Sequence, residues 1–118
     1  MDEFVFEFLG SAPDRDRDAR DLEDWLNLSE DLRGAARVRM APAQPGEQGA
    51  LADAAMLAAS FGVMVKPFFS WLTERAKARQ INVRVSAKNK KGTVELTITG
   101  PADVMPAVQR LTEALDDK

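Results

Sequence analysis

Few side chains in this sequence could perform acid–base, nucleophilic or metal chemistry near neutral pH. The 118 residues contain no histidine, no cysteine and no tyrosine. The sequence therefore lacks the imidazole that most often serves as a general base, the thiolate nucleophile and the usual zinc ligands. Ser-His-Asp and Cys-His arrangements cannot form within one chain. We expect no catalytic residue, no cofactor and no enzymatic activity.

Two serines, Ser60 and Ser70, lie in an apolar stretch and are candidates for a nucleophile. Without histidine, a serine nucleophile would need a lysine as its base. Lys66 follows Ser60 by six residues, which does not match the Ser-x-x-Lys spacing of serine–lysine enzymes. We expect Lys66 to extend from a helix surface into solvent.

The alternating run from Asp14 to Asp18 is the cluster that suggests a metal site. An EF-hand loop that starts at Asp14 would need glycine at its sixth position and glutamate at its twelfth. This sequence has Ala19 and Trp25 there. The interleaved arginines also offset the negative charge, so we expect no bound metal. The aspartates instead fit the N-terminus of a helix, where carboxylates cap free N–H groups.

Charge is distributed unevenly along the chain. Residues 1–35 carry a net charge of −7 and residues 66–91 a net charge of +7, although the whole chain carries only −3. A basic hairpin could bind phosphates, but no aromatic side chain is interleaved with its lysines to stack on bases. We therefore expect a protein partner in preference to nucleic acid, because complementary charged patches steer proteins together.

The elements that position these residues follow from hydrophobic periodicity. Phe4, Phe6 and Phe8 alternate with other residues, which predicts a strand with one aromatic face. Similar patterns predict a helix over residues 16–28, a short strand over 36–40, a hairpin from 81 to 99 with its turn at Lys88–Gly92, and a final helix over 104–115.

Residues 48–79 form the longest tract for which the sequence predicts helix. The most apolar part, from Ala54 to Val65, has twelve residues, too few to cross a bilayer. We therefore predict a buried core helix there. Gly62 and Pro67 interrupt the pattern, because proline cannot donate a backbone hydrogen bond. The sequence leaves open whether the tract is one kinked helix or two.

The order β-α-β-α(α)-β-β-α predicts a single α+β domain over residues 1–118. We expect a two-layer sandwich in which helices cover one face of a sheet of about four strands. If the other face is open, it is lined by Arg37, Arg39, Arg84, Glu95, Thr97 and Thr99. The absence of cysteine and of a membrane-spanning run fits a cytoplasmic location.

A series of short motifs resembles the effector-associated constant component family, first type. The motifs are Trp25-Leu26, Asp31–Gly34, Arg37–Arg39, Pro45–Leu51, Trp71-Leu72 with its basic tail, the Val/Thr hairpin, and Leu111 to Leu115. The resemblance covers nearly the whole chain. It implies a small α+β module of a bacterial multi-component conflict or immune-like system. Such modules are similar to adaptors that link a protease or another effector to sensing components. The resemblance carries over no catalytic motif and no binding residue.

The sequence thus predicts a non-enzymatic adaptor that docks an effector through an exposed surface. The predicted partner-binding side chains are all basic: Arg37, Arg39, Arg84, Lys88, Lys90 and Lys91. The loop from Pro42 to Glu47 is a further candidate surface. The alternative is a small-ligand-sensing or regulatory module that dimerises through sheet edges, which leaves a homodimer open.

Overall fold

A computed structural model describes residues 2–41, 51–90 and 92–115, which form five strands and three helices. The strands are β1 (Asp2–Phe8), β2 (Ala36–Met40), β3 (Ala52–Ala59), β4 (Asn82–Asn89) and β5 (Gly92–Thr99). The helices are α1 (Ala12–Leu28), α2 (Phe61–Ala76) and α3 (Val104–Leu115). None of these three described helices is long and apolar enough to cross a membrane.

The strands form one sheet in the order β2-β3-β1-β4-β5, with antiparallel pairing throughout. The unit β1-α1-β2 is split, because β3 lies between its two strands. The unit β3-α2-β4 is split in the same way by β1. This interlocked β-α-β-β-α-β arrangement is the ferredoxin-like topology, extended here by β5 and α3. The predicted two-layer α+β fold is confirmed.

The helix predicted over residues 48–79 is wrong in its first half. Residues 52–59 form a buried strand, β3, and helix begins only at Phe61. Alanine has the highest helix propensity, so this alanine-rich stretch favours helix locally. Pairing with β1 on one side and β2 on the other overrides that preference. The sheet therefore has five strands and not about four, and Pro67 lies inside the single helix α2.

The aromatic face of β1 forms the centre of the core. Phe4, Phe6 and Phe8 are at most 1% exposed. Helix α2 lies over them, with the ring centres of Phe6 and Phe68 4.4 Å apart and those of Phe8 and Trp71 5.6 Å apart. We call this side of the sheet, which all three helices cover, the core face.

A polar cluster fastens α1 to the end of α2. Asp21 accepts hydrogen bonds from the Trp71 indole, at 3.1 Å, and from the Arg75 guanidinium. The guanidinium carbon of Arg75 also lies 5.3 Å from the centre of the Trp25 ring. Hydrogen bonding to Arg75 is the main reason that the pKa of Asp21 lies below its usual value. The amphipathic helix pair is thus joined by charge as well as by apolar contact.

A substitution at Ala55 tests how closely α1 packs against the sheet. Ala55 lies opposite Phe6 and is fully buried in the core where α1 packs against β3. Replacing Ala55 with valine should lower the free energy of unfolding by at least about 1 kcal/mol, because added methyl groups force the packed layers apart. Urea unfolding followed by circular dichroism measures this.

Ala58 is the matched control for Ala55, since it is exposed on the opposite side of the same strand. The Ala58→Val change should alter the free energy of unfolding by no more than about 0.5 kcal/mol, because β-branched residues suit strands. Equal losses for the two variants would contradict the assignment of Ala55 to the core face.

Candidate functional site

The sheet face opposite the helices, which we call the bare face, carries three rows of side chains that run across the strands. The rows are Arg39–Ala54–Glu7–Arg84–Thr97, Arg37–Met56–Val5–Ser86–Glu95 and Ala58–Glu3–Lys88–Thr93. Within residues 2–41, 51–90 and 92–115, no helix packs on this face. Its side chains are exposed or half-buried except for Ala54. The bare face is therefore a broad surface presented by rigid, hydrogen-bonded strands.

The first row is held together by ion pairs. The Arg39 guanidinium lies 2.8 Å from Glu7, measured from Nη2 to Oε2, and 3.0 Å from Asp53, measured from Nε to Oδ1. Nη1 of Arg84 lies 3.1 Å from Oε1 of Glu7. Asp53 reaches Arg39 where the register between β2 and β3 shifts. Hydrogen bonding to Asp53, and then to Glu7, raises the pKa of Arg39 further above its usual value. The charges of Arg39 and Arg84 are thus already matched within the chain.

The second row is apolar at its centre. Val5 and Met56 are direct cross-strand neighbours, and both are half-buried. Together with Ala58, Arg37 and Glu3 they line a shallow depression of about 310 Å³. We call Val5, Met56 and Ala58 the apolar strip. An apolar strip on an open sheet face exposes apolar surface to water. Covering that surface with a partner lowers the free energy.

Cations lie on both sides of the apolar strip. Arg37 is on β2, Lys88 is on β4 and Lys90 is in the turn that follows β4. None of these three forms an ion pair within the part of the chain that the structure describes. Arg37 donates only to the carbonyl of its neighbour Ala36, at 3.2 Å. Since β2 and β4 are three strand spacings apart and the two residues lie in neighbouring rows, Arg37 and Lys88 are separated by about 16 Å.

The predicted partner-binding residues thus divide into two groups. The structure places Arg37, Arg39, Arg84 and Lys88 on the bare face and Lys90 beside it. Arg39 and Arg84 are engaged in ion pairs, whereas Arg37, Lys88 and Lys90 form none with the residues that the structure describes. Lys91 and the candidate loop Pro42–Glu47 lie outside the described residues.

The apolar strip is the part of this surface that sequence reasoning missed. The position of Val5 was visible as the residue between the phenylalanines, on the opposite side of β1. The sequence does not indicate that Met56 lies on the bare face, because it predicts helix where the structure has β3. Only the pairing of β1 with β3 brings the two side chains together.

The acidic run at the start of α1 has structural partners. Asp14 lies 3.4 Å from Arg17, Asp16 accepts the backbone N–H of Ala52 at 2.8 Å, and Asp18 pairs with Arg79. Among the residues that the structure describes, no group of three or more acidic side chains is arranged to hold a metal ion. The Ser11 side chain caps the helix by accepting from the backbone N–H of Asp14.

Comparison with known proteins gives one match. The family model described as Effector Associated Constant Component 1 matches residues 11–116. No curated protein and no solved structure matches the chain. The matched range extends from the cap of α1 past the end of α3, and it includes most of the residues of the bare face.

Proposed function

The chain belongs to the Effector Associated Constant Component 1 family, and from that premise we propose that it is a non-enzymatic adaptor that docks an effector, such as a protease, through its bare face. The family makes the chain a component of an effector-associated conflict system. The observation that carries the docking proposal is the apolar strip between Arg37 and Lys88, because these cations form no ion pair within the described chain.

The geometry of the strip specifies the chemistry of the partner. A complementary surface has an apolar centre that covers Val5 and Met56, with carboxylates on either side that meet Arg37 and Lys88. Centrally buried apolar contacts supply most of the affinity of an interface. Charges at its rim chiefly set the association rate and exclude wrong partners.

The non-enzymatic part of the proposal is supported by the composition of the chain. Histidine, cysteine and tyrosine are absent from the sequence, which removes the side chains that most often serve as general bases and nucleophiles. On this account the chain brings other components together and leaves catalysis to the effector. Hydrolysis of peptide or nucleotide substrates by the purified chain would overturn this part.

Charge reversal at the hairpin tests the docking surface. The Lys88→Glu/Lys90→Glu double variant should associate with its partner about tenfold more slowly, or worse, because a rim charge that steered the partner now repels it. The measurement is co-purification of the tagged chain from the native cell with identification of bound proteins by mass spectrometry. The association rate with the recovered effector is then measured at low salt.

The matched control is the Lys66→Glu/Arg110→Glu double variant, which makes the same change in net charge. Both control residues are exposed on helices, away from the bare face. This control should bind as the unmodified chain does. If both double variants slow association equally, net charge and not the bare face governs binding, and the docking proposal fails.

A further inference from the structure

The two edge strands of the sheet, β2 and β5, differ in how far their outer backbone groups are covered. At β2 the outer edge is covered by side chains of α1. Glu23 accepts the backbone N–H of Val38 at 3.0 Å, and Asn27 bonds both the N–H and the carbonyl of Ala36, at 3.1 and 3.3 Å. A second chain therefore cannot add a strand to β2 without displacing these contacts.

Among the residues that the structure describes, none covers the outer edge of β5 along most of its length. Alternate residues of an antiparallel strand point both backbone groups away from the paired neighbour. Thr99 is one of them, because its N–H donates to the Asp103 carboxylate at 2.7 Å. By alternation Thr93, Glu95 and Thr97 also point outward. Within the described residues, nothing beyond β4 pairs with the backbone of these three.

Apart from the charge of Glu95, the strand lacks the features by which natural proteins block an exposed edge. Its eight residues contain no proline and no lysine, and its register against β4 is continuous from Gly92 to Thr99. Proteins usually protect such an edge with charge, proline or a bulge. An edge left regular on one side of a sheet, when the other edge is carefully covered, is suited to accept a further strand.

We propose that β5 pairs in antiparallel orientation with β5 of a second copy of this chain, joining the two sheets into one. Charge complementarity favours this occupant. Antiparallel pairing places the hairpin end of one copy, which carries Lys90, beside the other copy's strand end, which carries Asp103. Opposite charges therefore meet at both ends of the shared edge.

At the centre of the interface, by contrast, like charges oppose the pairing. The exposed Glu95 lies midway along the three outward-facing residues, so the two copies bring their Glu95 carboxylates close to the symmetry axis. Like charges near each other across strands weaken pairing. The pairing is therefore weak, and the fraction of dimer depends on protein concentration. The dimer continues the bare face across both copies, so the assembly presents two docking surfaces to partners.

Sedimentation equilibrium over a wide range of protein concentration tests this proposal. The unmodified chain should pass from monomer to dimer. The Thr97→Pro variant should remain a monomer, because proline removes an outward N–H that no residue of the described chain uses. The Thr97→Val variant is its control, since it keeps that N–H, and it should dimerise normally.

A charge exchange at Glu95 keeps the proposal testable even if the proline variant fails to fold. A mixture of the Glu95→Lys variant with the unmodified chain should associate several-fold more tightly than either alone, because opposite charges then meet at the axis. A chain that stays monomeric at every concentration, or a dimer insensitive to both changes, would overturn the proposal. Neither result decides the docking proposal: Lys90 belongs to both surfaces, but the test at Lys88 and Lys90 measures binding to a different protein.

Discussion

Replacing Trp71 with alanine is expected to lower the free energy of unfolding by about 3–5 kcal/mol. Trp71 is fully buried, its ring lies against Phe8 and Phe68, and its indole N–H donates to Asp21. The substitution leaves a cavity under α2 and removes one of the hydrogen-bond donors to a half-buried carboxylate. Both effects destabilise.

The second tryptophan of the chain provides the control. Trp25 is half-buried and stacks against the Arg75 guanidinium at the surface of the helix layer. The Trp25→Ala change should cost about 1 kcal/mol, the scale of a partly solvated cation–π contact. Both variants are measured by urea unfolding followed by circular dichroism, because each variant lacks one of the two tryptophans on which a fluorescence signal would depend. A smaller loss at Trp71 than at Trp25 would contradict the position of α2 over β1.

Asp21→Asn is expected to cost about 2 kcal/mol at neutral pH, because charge-assisted hydrogen bonds from Arg75 become neutral ones. The same variant should change the dependence of stability on pH. Since hydrogen bonding to Arg75 lowers the pKa of Asp21 in the folded chain, its stabilisation is present above the unfolded pKa of about 3.9. It is lost as pH falls through the folded pKa.

The difference in unfolding free energy between the unmodified chain and the Asp21→Asn variant should therefore shrink as the solution is acidified below about pH 4. Asp24→Asn is the control, because Asp24 is an exposed carboxylate of the same helix. That change should alter stability by no more than about 0.5 kcal/mol. A constant difference between the unmodified chain and Asp21→Asn across the acid range would rule out the Asp21–Arg75 interaction as its source.

Elements with a clear period could be predicted from the sequence alone. The alternating phenylalanines of β1 and the turn between β4 and β5 are local signals, so the structure agrees with them. The strand β3 carries no such signal, because alanine fits helix or strand. Its conformation is decided by β1 and β2, which lie elsewhere in the sequence. A propensity argument cannot detect this kind of tertiary constraint.

The surface shows the same division between local and long-range information. Sequence reasoning identified the basic side chains of the bare face as a set. It could not separate Arg39 from Arg37, because the ion-pair partners of Arg39 are distant in the sequence: Asp53 is 14 positions away and Glu7 is 32 positions away. Similarly, the neighbours Val5 and Met56 are known only once β1 is paired with β3. Strand order therefore determines which charges are available to a partner.

Lysine footprinting tests most directly whether the bare face and its hairpin dock the effector. Amine-specific acylation is compared between the free chain and the complex recovered from the native cell. Lys88 and Lys90 border the bare face, whereas Lys66 and Lys77 are exposed on and beyond α2. We predict that Lys88 and Lys90 lose reactivity in the complex while Lys66 and Lys77 keep theirs. Protection of Lys66 and Lys77, with Lys88 and Lys90 unchanged, would place the partner on the helices and contradict the account.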